Sequence, residues 1–174
     1  MAALLKRLVR ILRHGWRGGA LPIPLRGAAI ERLTRKVRQS EQRHGGQVRL
    51  CLEAGLPPSY LWRGAGARER AITLFGKLRV WDTEHNNGVL IYLLLADRAV
   101  EIVADRGVAR RVAPQQWEDV VAGMSERLRK GDFEQALNHA IDEVSALLQQ
   151  HFPAPVQSGE ELSNELPDAP VIRP

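Results

Sequence analysis

Six polar residues of types that carry metal and acid–base chemistry surround one apolar run in the second half of the chain. Five precede the run and the last follows it: Asp82, Glu84, His85, Asn86, Asn87 and Asp105. The carboxylates of Asp82, Glu84 and Asp105 could hold a hard divalent cation such as Ca²⁺ or Mg²⁺, which takes several oxygen ligands. Alternatively, one carboxylate and His85 could act as acid and base on a phosphate ester.

The same residues also fit a turn that has no chemical role. Asp82 and Thr83 can turn or cap the chain, and His85 can be solvated. Residues 86–88, Asn-Asn-Gly, tolerate the left-handed backbone geometry that tight turns require. The spacing is not a ligand motif by itself, so the sequence leaves the chemical and the structural interpretations open.

The apolar run between these residues predicts a buried strand. Residues 89–96 are apolar throughout, which is typical of a strand covered on both faces. A second strand over residues 99–104 follows Asp97-Arg98. Since that connection is too short for a crossover helix, the two strands must pair antiparallel as a hairpin. The polar residues therefore lie at the mouth of a central strand, on a rigid support.

Further elements around the hairpin predict a single α/β domain over residues 26–152. Helical spacing or helix boundary signals cover residues 28–44, 67–78, 114–130 and 132–152, and residues 47–53 alternate as a strand does. Helices of this length can cover both faces of a short mixed sheet.

Charge is distributed unevenly along the chain. Residues 1–50 contain 12 Lys or Arg and two acidic residues, while the net charge of the whole chain is only +5. The basic residues are not interleaved with aromatic side chains as on a base-stacking surface, so charge does not support nucleic-acid binding. Residues 153–174 lack an apolar pattern and are rich in Pro, Glu and Ser, which predicts a disordered acidic tail.

Residues 1–25 are interpreted as a basic amphipathic arm and a linker. In a helix, the apolar side would face away from the basic residues of the arm, which are Lys6, Arg7, Arg10 and Arg13. Such a helix could bind an anionic membrane surface, pack on its own domain or stay disordered. Basic residues interrupt the apolar part, unlike in a signal peptide, and no run reaches the ~18 residues that span a bilayer. We therefore expect a cytoplasmic protein that associates with the membrane or with a protein partner.

A second basic group follows the predicted hairpin. Arg106, Arg110 and Arg111 lie within six residues of one another and could bind a phosphate or an acidic partner. A solvated basic edge without a ligand would give the same pattern.

Several short motifs together resemble the TPM domain family over residues 30–148. They are Asn86-Asn87-Gly88 before the strand, Asp97-Arg98 with the second strand and a later glycine, and Lys130-Gly131-Asp132-Phe133 before the closing helix. The resemblance implies a three-layer α/β/α sandwich around a small mixed sheet. It also implies a link to acid phosphatases and divalent-cation binding, which are described for some members. The chain is similar to a compact proteobacterial variety without signal peptide or membrane anchor.

The sequence departs from the family pattern at its acidic positions. Asn86 stands where the family typically has Asp, and Ala109 stands where it has Glu. Because hard cations need negatively charged oxygen ligands, these changes predict a degenerate site that binds Ca²⁺ or Mg²⁺ weakly. A metal-assisted phosphatase and a non-catalytic interaction or membrane-associated module both remain open, and a nucleic-acid-associated protein is the weakest alternative.

Overall fold

A computed structural model describes residues 9–15, 25–154 and 164–174 of the chain. Its centre is a four-stranded sheet formed by β1 (Gln47–Glu53), β2 (Gly88–Leu94), β3 (Ala99–Ala104) and β4 (Val171–Arg173). Across the sheet the strand order is β3-β2-β1-β4. β2 and β4 run parallel to β1, whereas β3 is antiparallel to β2, which confirms a small mixed sheet.

Helices cover both faces of this sheet. One face carries α2 (Ala28–Glu41), α6 (Pro114–Arg129) and α7 (Phe133–His151), and the other carries α3 (Pro58–Trp62) and α4 (Ala67–Lys77). The described part of α1 covers residues 9–15, and the short α5 (Arg106–Ala109) follows β3. The prediction of a three-layer α/β/α sandwich is therefore confirmed.

The two helical layers explain why β2 is apolar at every position. Its odd-numbered residues from Val89 to Leu93 belong to the core beneath α2, α6 and α7. Its even-numbered residues from Leu90 to Leu94 belong to the core beneath α3 and α4. Every residue of the strand is buried, because both sides of the pleat face a helical layer.

The hairpin pairing predicted from the sequence is confirmed, with Ile91 opposite Ile102 and Leu93 opposite Val100. The connection is longer than the expected Asp97-Arg98 turn and includes residues 95–98. The N–H group of Leu95 donates to the carbonyl of Glu53 in β1 at 2.9 Å, and that of Ala96 donates to the carbonyl of Ala54, which follows β1, at 3.0 Å. Hydrogen bonding on the β1 side therefore continues beyond Leu94, where the pairing between β2 and β3 ends.

The prediction of a disordered tail over residues 153–174 is wrong for residues 164–174. This segment returns to the sheet and forms β4, where Arg173 lies opposite Glu53. Leu166 is 4% exposed and Asp168 is 5% exposed, so the segment contributes to the buried interior. Asp168 accepts a hydrogen bond from Arg38 at 2.8 Å, which pairs the acidic segment with the basic N-terminal third. Residues 155–163 lie outside the described residues.

α1 packs against the domain, which was one of the alternatives left open for the arm. Ile11 packs against the core beneath α3 and α4, and His14 is buried. Asp97 accepts hydrogen bonds from Arg10 and Arg13, and His14 Nε2 lies 3.0 Å from the same carboxylate. Lys6, Arg7 and the linker residues 16–24 lie outside the described residues. Across the described ranges, no helix combines the length and apolarity needed to cross a membrane.

Candidate functional site

The polar residues singled out in the sequence lie where β2 begins and β3 ends, a region that we call the strand mouth (residues 82–88 and 105–109). The Asp105 N–H donates to the Gly88 carbonyl at 2.8 Å, and the Gly107 N–H donates to the Asn86 carbonyl at 3.0 Å. These two bonds hold the loop before β2 against the start of α5. The structure thus brings together the segments that the sequence separates by the whole hairpin.

Two glycines allow this close approach. A Cβ atom on Gly88 would overlap the carbonyl oxygen of Val80, and one on Gly107 would lie 2.5 Å from the carbonyl oxygen of Asn86. Because both obstacles are backbone atoms, neither can move aside as a flexible side chain could. The glycines shared with the TPM pattern are therefore required by packing at the strand mouth.

Three of the candidate side chains at the strand mouth are exposed to solvent. These are Asp82, Glu84 and His85. Asp82 lies 3.7 Å from Arg79 in a surface ion pair, and the backbone N–H of Glu84 donates to Glu165 at 2.9 Å. Among the residues that the structure describes, no buried contact fixes these three side chains in a common orientation.

The two asparagines have different roles. Asn86 is half-buried and adopts a left-handed backbone with φ of 51°, the turn geometry expected from the sequence. Asn87 is buried, and its Nδ2 donates to the Gly45 carbonyl at 2.6 Å while its backbone N–H donates to Thr83 Oγ1 at 3.1 Å. Asn87 therefore joins the strand mouth to the connection between α2 and β1.

Asp105 is the one buried carboxylate among the candidate residues. Its Oδ1 accepts a hydrogen bond from the Arg106 N–H at 2.6 Å and caps α5. Its Oδ2, like Oδ1 of Asn87, is buried and has no hydrogen-bond partner among the described residues. Asn87 precedes Gly88 in the chain, and the Asp105 N–H is hydrogen-bonded to the Gly88 carbonyl across the hairpin. Asp105 Oδ2 and Asn87 Oδ1 therefore both belong to the strand mouth.

These residues do not fit a divalent cation of the kind the family resemblance implies. Ca²⁺ takes about six to eight oxygen ligands, several of them charged. The strand mouth offers one buried carboxylate and one amide oxygen, while Ala109 places an exposed methyl group at the family's Glu position. In the described part of the chain, no three His, Cys, Asp or Glu side chains form a metal-binding group. Asp82, Glu84 and Asp105 are thus not assembled as ligands.

The predicted anion-binding arginines are exposed, but they do not act as one group. Arg111 donates to the His151 carbonyl at 2.7 Å, and its guanidinium lies 4.3 Å from the centre of the Phe152 ring. Arg111 therefore fastens the end of α7. Arg106 and Arg110 are exposed on and beside α5.

His44 is a buried residue near the strand mouth that the sequence analysis missed. Its Nδ1 lies 3.1 Å from the Gly46 carbonyl, and its Nε2 has no partner among the described residues. Burial lowers the pKa of His44 to about 4, so the ring is neutral at physiological pH. His44 differs from a surface histidine because residues 44–46 contact Asn87 in the folded protein. No local pattern in the sequence indicates this contact.

A buried charged cluster at the opposite end of the strands was also missed. Glu53 accepts hydrogen bonds from Arg70 Nε at 2.9 Å, from the Tyr92 hydroxyl at 2.6 Å and from Arg173 Nε at 3.2 Å. Burial, followed by the charge of Glu53, raises the pKa of Tyr92, and the hydrogen bond to Glu53 raises the pKa of Arg70. The members come from four separate elements, so no spacing in the sequence indicates them.

Comparison with known proteins agrees with the geometry of the fold. The TPM domain family matches residues 25–147. The NMR structure of the BA42 protein from the psychrophilic bacterium Bizionia argentinensis superposes with a TM-score of 0.71 at 22% identity, covering 88% of this chain and 98% of that one. The N-terminal domain of a P. gingivalis protein superposes with a TM-score of 0.61 at 17% identity, covering 79% and 84%.

Among curated proteins, none matches the sequence. The two solved structures are too distant in sequence to show more than a shared fold. The family match covers well over half of the chain and includes the whole hairpin and both glycines of the strand mouth. The chain therefore belongs to the TPM domain family.

Proposed function

We propose that this chain is a non-catalytic TPM domain that serves as an interaction module. The observation that supports this proposal is the reduced acid content of the strand mouth, where Asp105 is the one buried carboxylate among the candidates and already caps α5. Metal-assisted phosphoryl chemistry needs a cation that polarises the phosphate and activates water. Here the additional acids, Asp82 and Glu84, are exposed and are not grouped with Asp105.

Acid–base catalysis without a metal has equally little support at the strand mouth. A general base must be held within hydrogen-bond reach of the proton that it removes. His85 is exposed on the loop before β2, and no hydrogen bond orients its ring among the described residues. The neutral, buried His44 is turned toward the Gly46 carbonyl and not toward solvent.

An assay with p-nitrophenyl phosphate, with and without Ca²⁺ or Mg²⁺, tests the proposal. We expect the wild-type rate to equal that of an Asp105→Asn variant and of an Asp82→Ala, Glu84→Ala double variant. Calorimetric titration with Ca²⁺ should show binding no tighter than about millimolar, because the charged ligands are too few. Turnover above the variants together with tight stoichiometric binding would show that the strand mouth is an active metal site.

A second candidate function, peripheral attachment to an anionic membrane, is favoured by the outer face of α1. Val9 is 56% exposed and Leu12 is 68% exposed, although both are apolar. Amphipathic helices bury such side chains at the lipid interface, and nearby basic residues add electrostatic attraction. Arg10 and Arg13 both form ion pairs with Asp97, which compensate part of their charge.

Co-sedimentation with anionic and with neutral vesicles tests this second function. We expect the full chain to pellet with anionic vesicles and to be released by high salt. A chain that begins at Pro24, and a Leu12→Asp variant, should remain in the supernatant. The exposed Ile72 on α4 offers a matched control, since Ile72→Asp adds the same charge away from α1. Equal pelleting of all four proteins would rule out attachment through α1.

A further inference from the structure

A cavity of about 470 Å³ opens at the carboxyl edge of the sheet, where β1, β2 and β4 end. Its volume falls within the range of about 300–1,000 Å³ that is usual for small-molecule sites. Ligands of α/β folds commonly bind beyond the carboxyl ends of parallel strands. The strand mouth lies at the other end of β2, so this cavity, which we call the edge pocket, is a separate site. Its main lining residues are Ile11, Glu53, Leu56, Leu61, Trp62 and Arg173.

The walls of the edge pocket are largely apolar. Leu56 and Leu61 are buried within the core beneath α3 and α4, and their side chains form its inner surface. Trp62 is 76% exposed at the rim, which is unusual for so large an apolar side chain. Ile11 of α1 is a further apolar lining residue. An apolar chain placed in the pocket would therefore be shielded from water over much of its surface.

Two guanidinium groups meet one side-chain carboxylate at the polar end of the edge pocket. Glu53 is 1% exposed, and its carboxylate is already paired in bidentate fashion with the buried Arg70. Arg173 is a second cation on the same carboxylate, which it reaches through Nε, and its side chain is 40% exposed. The Glu53 side chain thus faces two guanidinium groups, and Arg173 is the more accessible of the two.

We propose that the edge pocket binds a small aliphatic carboxylate, with its alkyl chain between Ile11, Leu61 and Trp62 and its carboxylate on Arg173. A guanidinium group matches a carboxylate because its planar donors can form two parallel hydrogen bonds. Arg173 uses Nε for Glu53, so its terminal Nη groups are the donors for the ligand. This proposal does not rest on the absence of catalysis at the strand mouth.

Calorimetric titration of the full chain with sodium octanoate, octanol and n-octyl phosphate tests the proposal. We expect saturable binding of octanoate and at least about tenfold weaker binding of octanol, because a charged hydrogen bond to Arg173 is lost. Octyl phosphate should also bind more tightly than octanol, since its anionic headgroup can form two hydrogen bonds with the Arg173 guanidinium. Amide shifts in NMR spectra should move at Gly55 and Leu56 and stay unchanged at Asn87 and Gly107.

Two variants and a control separate recognition from folding. Arg173→Leu should weaken octanoate binding about tenfold or more while leaving octanol binding unchanged. Trp62→Ala should weaken both, and circular dichroism of this variant checks that it remains folded. Arg129→Leu removes an arginine at the end of α6, remote from the edge pocket, and should change neither. If Arg173→Leu lowers the melting temperature, Arg173→Lys and Trp62→Ala decide the matter.

The proposal fails if octanol binds as tightly as octanoate, or if the Trp62→Ala variant binds octanoate like the wild type. Shifts confined to the strand mouth would likewise overturn it. None of these outcomes would be evidence for phosphatase activity, which is tested separately with p-nitrophenyl phosphate and variants of the strand mouth.

Discussion

Glu41 is a buried acid whose carboxyl group lies between β1 and the C-terminal segment. Its Oε1 accepts a hydrogen bond from the Val48 N–H at 2.7 Å, and the carboxyl of Asp168 faces it from the C-terminal segment. Burial is the main cause that raises the pKa of Glu41 from 4.5 to about 8, and the charge of Asp168 adds to it. Glu41 is therefore protonated in the folded protein at neutral pH.

This raised pKa predicts that stability falls as the pH rises. Below pH 4.5 the group is protonated in both states, whereas between pH 4.5 and about 8 only the unfolded chain releases the proton. The loss in the free energy of unfolding is complete above pH 8 and amounts to about 4–5 kcal/mol at most, from about 1.4 kcal/mol per unit. Glu41→Gln, which copies the protonated group, should differ from the wild type by at most about 1 kcal/mol at pH 5 and be clearly more stable at pH 9.

Urea unfolding of both proteins from pH 5 to pH 9 measures this difference directly. Glu31→Gln is the matched control, because Glu31 lies exposed on the same helix. The titration of His44, whose lowered pKa makes stability fall as the pH drops from 6.5 toward 4, is common to all three proteins and cancels in the comparison. Parallel pH profiles for the wild type and Glu41→Gln would contradict the assignment.

Arg70 offers a second prediction at the scale of one residue. It is 3% exposed and neutralises Glu53, which is also buried. Arg70→Met leaves a buried carboxylate with less compensation, so we expect the free energy of unfolding to fall by about 3–5 kcal/mol. Arg63→Met breaks an exposed pair with Glu69 and should cost about 0–1 kcal/mol. If chemical denaturation gave the same loss in the free energy of unfolding for both substitutions, burial of the Glu53–Arg70 pair would not contribute to the cost of removing the arginine.

Among the elements, β2 decides whether the domain folds. It pairs with strands on both sides, and its residues fill the cores beneath both helical layers. Leu93→Asp should unfold the domain, because an unpaired buried charge costs several kcal/mol, comparable with the whole stability of a domain. Ile72→Asp, at an exposed position of α4, is the matched control. Circular dichroism distinguishes the two, and a folded Leu93→Asp protein would refute the placement of β2.

The elements also show which parts of the fold the sequence can reveal. β2 and α7 were predictable because their apolar patterns are long and local. β4 was not, since its three residues become a strand only when Arg173 meets Glu53 and the edge of β1. The docking of α1 likewise depends on His14 and Asp97, which are far apart in the chain.

The candidate site was predictable to the same extent. The turn at Asn86 follows from local backbone chemistry, whereas the need for glycine at position 88 comes from the close approach of the Val80 carbonyl. The different burial of Asp105 and Asp82 does not follow from local chemistry, because both are acids beside an apolar run. Which of them turns inward is decided by the capping of α5 and by the surface pair with Arg79.

At the scale of the whole molecule, residues 164–174 complete the structure. They cover one edge of β1 and bury Leu166 and Asp168. A chain that lacks these residues should lose several kcal/mol in the free energy of unfolding and self-associate more readily, because an open strand edge pairs with other chains. Ile172→Ser, which keeps the segment and changes only an exposed side chain, should behave like the wild type in sedimentation. Identical sedimentation and stability of the shortened chain would contradict a structural role for β4.

The late position of β4 also has a consequence for how the protein is made. β1 is synthesised early, but its outer partner follows about 120 residues later. At a translation rate of about 5–20 residues per second, roughly 6–24 s pass between the synthesis of β1 and that of β4, with which it pairs. During this interval the nascent chain presents an unpaired strand beside an incomplete core. At each round of synthesis, β1 therefore has to be kept from pairing with neighbouring nascent chains until β4 emerges.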